Sequence, residues 1–469
     1  MPFLNQLQAD NRWIQLSQLI PWSEFEETYQ SYFGSTGNTA VPFRVALGSL
    51  IIKERLCLSD EETVEQIREN PYLQYFIGYP SFRSEKPFDA SSMTHFRKRI
   101  SMEMLLAINE RICQVKKSDE SKPVEKKDKD DDETRKGKLI IDSTCAPEDM
   151  RHPNDVLLMS ESRELTEHII DTLWEASPKK ANKKKPRTYR EKARKDFLRF
   201  IRKRNRSMSH LRKGLRKQLN YLGRNLSTIE EMKADVSLSV LDKQEYKKLL
   251  VAQEVYRQQK ELYTQLGEAH RSIPDRIVSL CKPHVRPIVR GKAAANVEFG
   301  AKLSVSVIDG KTYLDKLSWD AYNESGDLKD QLRAYKARTG YYPKSIHADK
   351  IYRTRDNMRY CKEFGIRLSG AALGRPPASD ENRKERLRIQ RAEEIDRIEI
   401  EGRFGTAKRR YGLARIMTKL SETSKHAIAL VFVVMNLDKI LRDLLLRIFR
   451  KLFKWLFFQY QAVLLAPCY

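Results

Sequence analysis

The sequence predicts an α/β fold: a mixed sheet flanked by helices, with a helical insertion between its first two strands and an all-α segment in front. Three observations predict it. Leu139, Ile140 and Ile141 form a short apolar run with β-branched members, which reads as a buried strand. From about residue 150 to about 290 the chain carries helical periodicity. Beyond that, strand-like and helix-like stretches alternate as far as about residue 410.

Residues 1–115 read as a helical N-terminal domain, for DNA binding or dimerisation. Ser59 and Glu62 have capping-box spacing ahead of "DEETVEQIREN", and Pro71 follows that helix. Ser91 or Ser92 can cap a second helix that carries Arg97, Lys98 and Arg99. The pair resembles a helix-turn-helix, and a plain helical bundle explains it equally well. Residues 116–137 contain hardly an apolar side chain and read as a charged linker. After the first strand, "YREKARKDFLRFIRKRNRSMSHLRKGLRKQLNYLG" places Phe197, Phe200, Met208, Leu211, Leu215, Leu219 and Leu222 close to a 3.6-residue period. Ser227 and Glu230 offer another capping box, and a second long helix follows from Lys243. An antiparallel helical hairpin is expected, basic on its first arm. Leu303, Val305 and Val307 then alternate with serines, and Asp309-Gly310 is a strong hairpin turn. A helix near 325–339, a strand at "SIHAD", a helix at "TRDNMRYCKEFG" and a strand at "IRLSG" come next. A Gly- and Pro-rich loop from Ala371 to Asp380 precedes a charged helix from about Glu381 to Arg410.

The net charge of +25 over 469 residues is unevenly placed. Between Lys179 and Arg224 stand 20 lysines and arginines against two acids, Glu191 and Asp196. Such a concentration needs a polyanion or an anionic surface to neutralise it, although the Lys-rich start alone could be a solvated tract. Six scattered cysteines have neither C-x-x-C nor zinc spacing, and read as reduced thiols of an intracellular protein. The opening residues lack the basic-then-apolar pattern of a signal peptide. Residues 441–469 read as a basic amphipathic helix. Lys439, Arg442, Arg447, Arg450, Lys451 and Lys454 interrupt this region too often for a membrane span, and docking on the protein itself is its expected use.

Two strand-like stretches, Leu139–Asp142 and Ser345–Asp349, end in an aspartate. The plain reading is that Asp142 caps a turn. If the strands are parallel neighbours, however, both carboxylates emerge at one sheet edge, where α/β folds place their sites. Carboxylates that close repel unless a divalent cation lies between them, and oxygen donors suit Mg2+ or Mn2+. Glu401 can supply a third carboxylate. Ile395, Ile398, Gly402 and Gly405 form a stripe expected to face the sheet, and Glu401 borders it. Arg397 and Lys408 project on Glu401's side, whereas Glu399 lies about 200° round. An ordinary Arg–Glu pair on a solvated helix is the competing explanation.

The stretches "LIIDSTCAPEDMRHPNDVLLMSESRE", "NVEFGAKLSVSVIDG", "HADKIYRTRDNMRYCKEFGIRLSG" and "RIEIEGRFGTAKRRYGLARIMTKL" together resemble DDE transposases of bacterial insertion sequences, in the IS-five family. The resemblance runs from about residue 40 to about 440 and implies a ribonuclease-H-like catalytic domain over 138–440. It implies Asp142, Asp349 and Glu401 as catalytic acids and metal ligands for two Mg2+ ions, with Mn2+ able to substitute. The family signature Y-x2-R-x3-E-x6-K is matched by Arg397, Glu401 and Lys408, but Glu394 stands at the tyrosine position. Asp142 and Asp349 are 207 residues apart, and the insertion accounts for the excess. Asp309 is explained by its turn; Asp155 and Asp171 compete only if the insertion folds over the site. His152 and His347 are read as substrate or supporting contacts. The expected DNA contacts are Arg397, Lys408, Arg403, Arg409, Lys203, Arg204, Arg206, Arg97 and Arg99. The expected partners are the element's terminal inverted repeats, target DNA and a second copy of the chain, in the cytoplasm at the nucleoid, with no membrane. The rival readings are a nuclease that cuts without joining, a non-catalytic nucleic-acid-binding protein, and a peripheral membrane protein.

Overall fold

Leu139 and Ile141 face one side of the sheet and Ile140 the other, and all three are buried. The first strand is therefore covered on both faces, which explains its unbroken apolar run. The structure is a computed structural model that describes residues 3, 6–31, 33, 41–114, 135–181, 184–268, 272–289, 297–370 and 383–464. Most of the expected linker and the whole Gly- and Pro-rich loop lie outside the described residues.

Strand β1 (Lys138–Pro147) is the centre of the sheet. It runs antiparallel to β3 (Val297–Ile308), from Ile140 opposite Val307 to Pro147 opposite Gly300. A Cβ at Gly300 would stand 2.0 Å from the Ala146 carbonyl oxygen, so only glycine lets the two backbones close there. On its other edge β1 runs parallel to β5 (Ser345–His347), which is followed by β6 (Arg367–Leu368), also parallel. Strands β2 (Arg286–Val289) and β4 (Lys311–Ser318) both pair with β3. Asp309 and Gly310, both at positive φ, make the expected β3–β4 turn. Strand β1 does not end at Asp142, as the sequence suggested, but continues five residues to Pro147. Ser143, Thr144, Cys145 and Ala146 keep pairing with β3, and the apolar run alone gave no sign of it.

One face of the sheet carries α12 (Leu328–Thr339) and α13 (Arg355–Glu363), with Leu328, Leu332 and Tyr335 packed on Leu139 and Ile141. The other face carries α14 (Arg383–Arg410) and α15 (Ser421–Leu464). Here the structure departs from the expected boundary at 441. Helix α15 starts twenty residues earlier, and its stretch from Ile428 to Leu441 is buried at nearly every position. It packs against α1 (Arg12–Leu19), α3 (Phe43–Leu56), α6 (Ser92–Arg99), α7 (Met102–Gln114) and β4. The N-terminal helices and the sheet thus share one apolar core, in which Leu50, Phe96, Leu105, Ile140, Val305 and Phe432 all take part. Asn436 crosses that core, donating to Asn109 Oδ1 and to the Thr312 carbonyl while accepting from the Thr312 N–H. Asp438 accepts from Arg55, Arg410 and Tyr411 and so joins α15 to α3 and to the end of α14. Among the expected caps, Ser59 accepts from the Glu62 N–H at the start of α4 (Asp60–Glu69), whereas Ser91 makes no capping bond.

Among the described residues the insertion holds four α-helices: α8 (Asp155–Glu175), α9 (Arg190–Arg202), α10 (Met208–Met232) and α11 (Lys243–Thr264). The basic arm is broken at 203–207, and α9 folds back so that Phe200 stacks on His210. Helix α10 runs through Ser227 and Glu230, which cap nothing. The capping box is at Asp242 and Glu245, starting α11. Ser227 lies on a helix already nucleated, so its local signal is overridden by propagation.

His426 on α15 is buried and donates from Nδ1 to the Ile100 carbonyl at 2.7 Å. Burial, with Arg97 adding to it, pushes its pKa down to about 4. The unfolded chain takes up a proton near the ordinary value of about 6.5, so stability is complete above that pH and is lost as pH falls towards 4. Melting of wild type and His426→Gln should therefore diverge: wild type loses several degrees more between pH 7 and pH 5, and equal slopes would contradict the account.

Candidate active site

The parallel register sets the first two acids side by side. Ile140 lies opposite His347, and two residues further along each chain come Asp142 and Asp349. Asp349 stands just beyond β5, where it accepts from the Lys350 N–H at 2.7 Å and caps a 3-10 turn, Lys350–Tyr352. Asp142 is still within β1, its carboxylate accepting from the Ser143 N–H at 2.8 Å. Burial pushes its pKa up to about 6; Asp349 and Glu324 add to this, while the Ser143 N–H and Arg397 oppose it.

Helix α14 supplies the rest. Its buried face is formed by Ile400, Phe404 and Ala407, and Tyr411 just past its end continues it. The expected stripe is wrong: Ile395 is 67% and Ile398 61% exposed. The helix is rotated so that Asp396 meets Lys138 and His347, and Arg397 turns inward. Arg397 Nη2 lies 3.7 Å from Asp349 Oδ1 and 3.8 Å from Glu401 Oε1. Glu401 itself is 59% exposed. One guanidinium therefore spans the second and third acids at loose ion-pair distance, and its buried Nε has no hydrogen-bond partner. Lys408 is half-buried two turns further along the same side.

The remaining expected residues lie elsewhere. Arg403 pairs with Glu399 at 3.3 Å beside the Gly310 turn, and Arg409 is exposed near Gly405. Lys203, Arg204 and Arg206 are exposed at the turn between α9 and α10. Arg97 makes a bidentate pair with Asp60, and Arg99 lies over the Phe33 ring at 4.3 Å, so both have intramolecular work. Asp155 is held by Gln259 and Arg276, and Asp171 by Lys185 and Arg190, within the insertion. His152 rests against Phe299; His347, whose pKa burial lowers, bonds Ser345 Oγ. Sequence reasoning missed Glu324, which bonds Ser143 Oγ and pairs with Lys302 at 2.6 Å. It precedes the helix at 328–339 in an unremarkable turn, and only the folded sheet brings it near Asp142.

Among the described residues no three His, Cys, Asp or Glu side chains are close enough to form a ready metal cage. The donor set nonetheless fits a hard divalent cation: all the acids offer oxygen, and burial, with Asp349 and Glu324 adding to it, disfavours the bare Asp142 anion, which a bound cation would relieve.

Two stretches of the chain match families of known proteins. Residues 346–438, which carry Asp349, Arg397, Glu401 and Lys408, match the family described as Transposase DDE domain. Residues 2–99 match a second family, Transposase domain (DUF772). An uncharacterized protein, ORF8 in the nfe locus of Rhizobium meliloti, is 32% identical over 145 residues, which is 30% of this chain and 64% of that protein. No solved structure matches. The two transposase domains support a DDE transposase; they do not distinguish the IS-five family from others. Among the described residues no helix is long and apolar enough to cross a membrane.

Proposed function

We propose that the chain is a transposase of the IS-five type, built on a ribonuclease-H-like core, that cuts the ends of its element and joins them to target DNA. The observation that carries this reading is the placement of Asp142 beside Asp349 with Arg397 linking Asp349 to Glu401. The sheet, with an antiparallel β1–β3–β4 half continuing into parallel β5 and β6, supports the ribonuclease-H-like assignment. Asp142, Asp349 and Glu401 would hold two Mg2+ or Mn2+ ions, which when bound activate the attacking oxygen and stabilise the leaving one. The protein's own cations do the rest. Arg397 and Lys408 would turn to the phosphates flanking the scissile bond, where fixed positive charge favours an anionic transition state. The exposed cations at the turn between α9 and α10, Lys203, Arg204 and Arg206, would hold flanking DNA, as would Arg409, exposed near the end of α14. Arg97, Arg99 and Arg403 are left out of the DNA surface because they are half-buried and engaged by Asp60, Phe33 and Glu399. The N-terminal helices would serve end recognition or pairing of two copies, acting on chromosomal DNA at the nucleoid.

Single Asp142→Ala, Asp349→Ala and Glu401→Ala variants should bind element-end DNA nearly as wild type does and lose Mg2+-dependent cleavage. A variant that still cuts removes that residue from the site. Arg397→Ala and Lys408→Ala should slow single-turnover cleavage by on the order of a hundredfold with little change in melting, the scale expected when one transition-state donor is lost. Rates near wild type would reduce both to helix decoration, a pair of about 0.3–0.5 kcal/mol. Replacing Lys203, Arg204 and Arg206 together with alanine should flatten the salt dependence of DNA binding by up to about 2.7 in slope, since each phosphate contact contributes about 0.9. An unchanged slope would assign the turn another role.

A further inference from the structure

Glu324 lies outside the three acids, yet the structure ties it to them by several routes. It opens a 3-10 turn, Glu324–Asp327, whose preceding residue Asn323 accepts from the Ser325 N–H at 3.1 Å. The buried Asn357 amide then donates to two carbonyls at once, Ser325 at 2.8 Å and Tyr352 at 2.9 Å. The second of these belongs to the turn that Asp349 caps. A single side chain thus fastens the Glu324 turn to the Asp349 turn. On the opposite side, Lys302 from β3 pairs with Glu324 at 2.6 Å and donates to the Tyr322 carbonyl at 2.7 Å. Held in this frame, the carboxylate accepts from Ser143 Oγ, on the residue directly after Asp142. Ser143 faces away from Asp142 along β1, so Glu324 grips the strand from the face opposite the site.

We infer that Glu324 is a positioning residue for the acid site: through Ser143 it fixes the part of β1 that carries Asp142. This rests on the reading of Asp142 as a metal ligand. A loosened β1 would let the Asp142 carboxylate move from the place Asp349 requires of it. Glu324→Gln keeps an acceptor for Ser143; Glu324→Ala removes it.

The test is calorimetric titration of Mn2+ into the full-length chain without DNA, with thermal melting to establish folding. Asp142→Asn should abolish binding; if it binds as wild type does, the reading of Asp142 fails and the Glu324 inference fails with it. With Asp142 established, Glu324→Ala should bind Mn2+ at least about tenfold more weakly, the scale seen when a partner of a metal ligand is removed, and Glu324→Gln should recover part of that loss. Wild-type affinity in Glu324→Ala overturns the inference while leaving the Asp142 reading intact. A loss as complete as that of Asp142→Asn, in both Glu324 variants, makes Glu324 a ligand and also overturns the positioning role.

Discussion

The parallel pairing of β1 with β5 is the constraint on which the site depends. Its hydrogen bonds fix Ile140 opposite His347, and everything further along the two chains inherits that register. A slip of one residue would turn Asp142 to the opposite face from Asp349. The pairing is short, and it is protected from slipping by what surrounds it. On one side β1 makes a long antiparallel ladder with β3, closed by Gly300 where no side chain fits. On the faces, Leu139 and Ile141 are locked among the side chains of α12, and Ile140 lies under α14 and α15. Changing the register would tear all three from the side chains packed around them.

Helix α15 carries this constraint to the rest of the chain. Because its stretch from Ile428 to Leu441 is buried between the N-terminal helices and the sheet, the two parts cannot move as independent bodies without opening an apolar core. Each fully buried Leu, Val or Phe contributes about 1.5–3 kcal/mol, so opening would be costly. The polar groups that enter this core are paired: Asn436 with Asn109 and Thr312, Asp438 with Arg55, Arg410 and Tyr411. Such groups specify one arrangement, because any other leaves them buried without partners.

Much of this was legible in the sequence, and the failures have physical reasons. The apolar run at Leu139, the Asp309-Gly310 turn and the helical insertion are local signals, and local bonding decided them. Ile395 and Ile398 mislead because apolar residues at helical spacing imitate a buried stripe; the sheet instead takes Ile400, Phe404 and Ala407, two residues or about 200° further round the helix, and this brings Arg397 inward. Helix α15 was cut short because its buried segment, "HAIALVFVVMNL", is apolar all round and shows no amphipathic period, the mark of a helix enclosed on every side. Glu324 could not be found from spacing at all. Its relation to Asp142 runs through Ser143, Lys302 and Asn357, residues scattered over more than two hundred positions and joined only by the folded sheet.

The most direct measurement is anomalous diffraction from crystals of the full chain soaked in Mn2+. The account predicts a manganese peak in contact with carboxylate oxygens of both Asp142 and Asp349, with Arg397 swung away from Asp349 to make room. Manganese bound only elsewhere, with Arg397 still bridging Asp349 and Glu401, would contradict it.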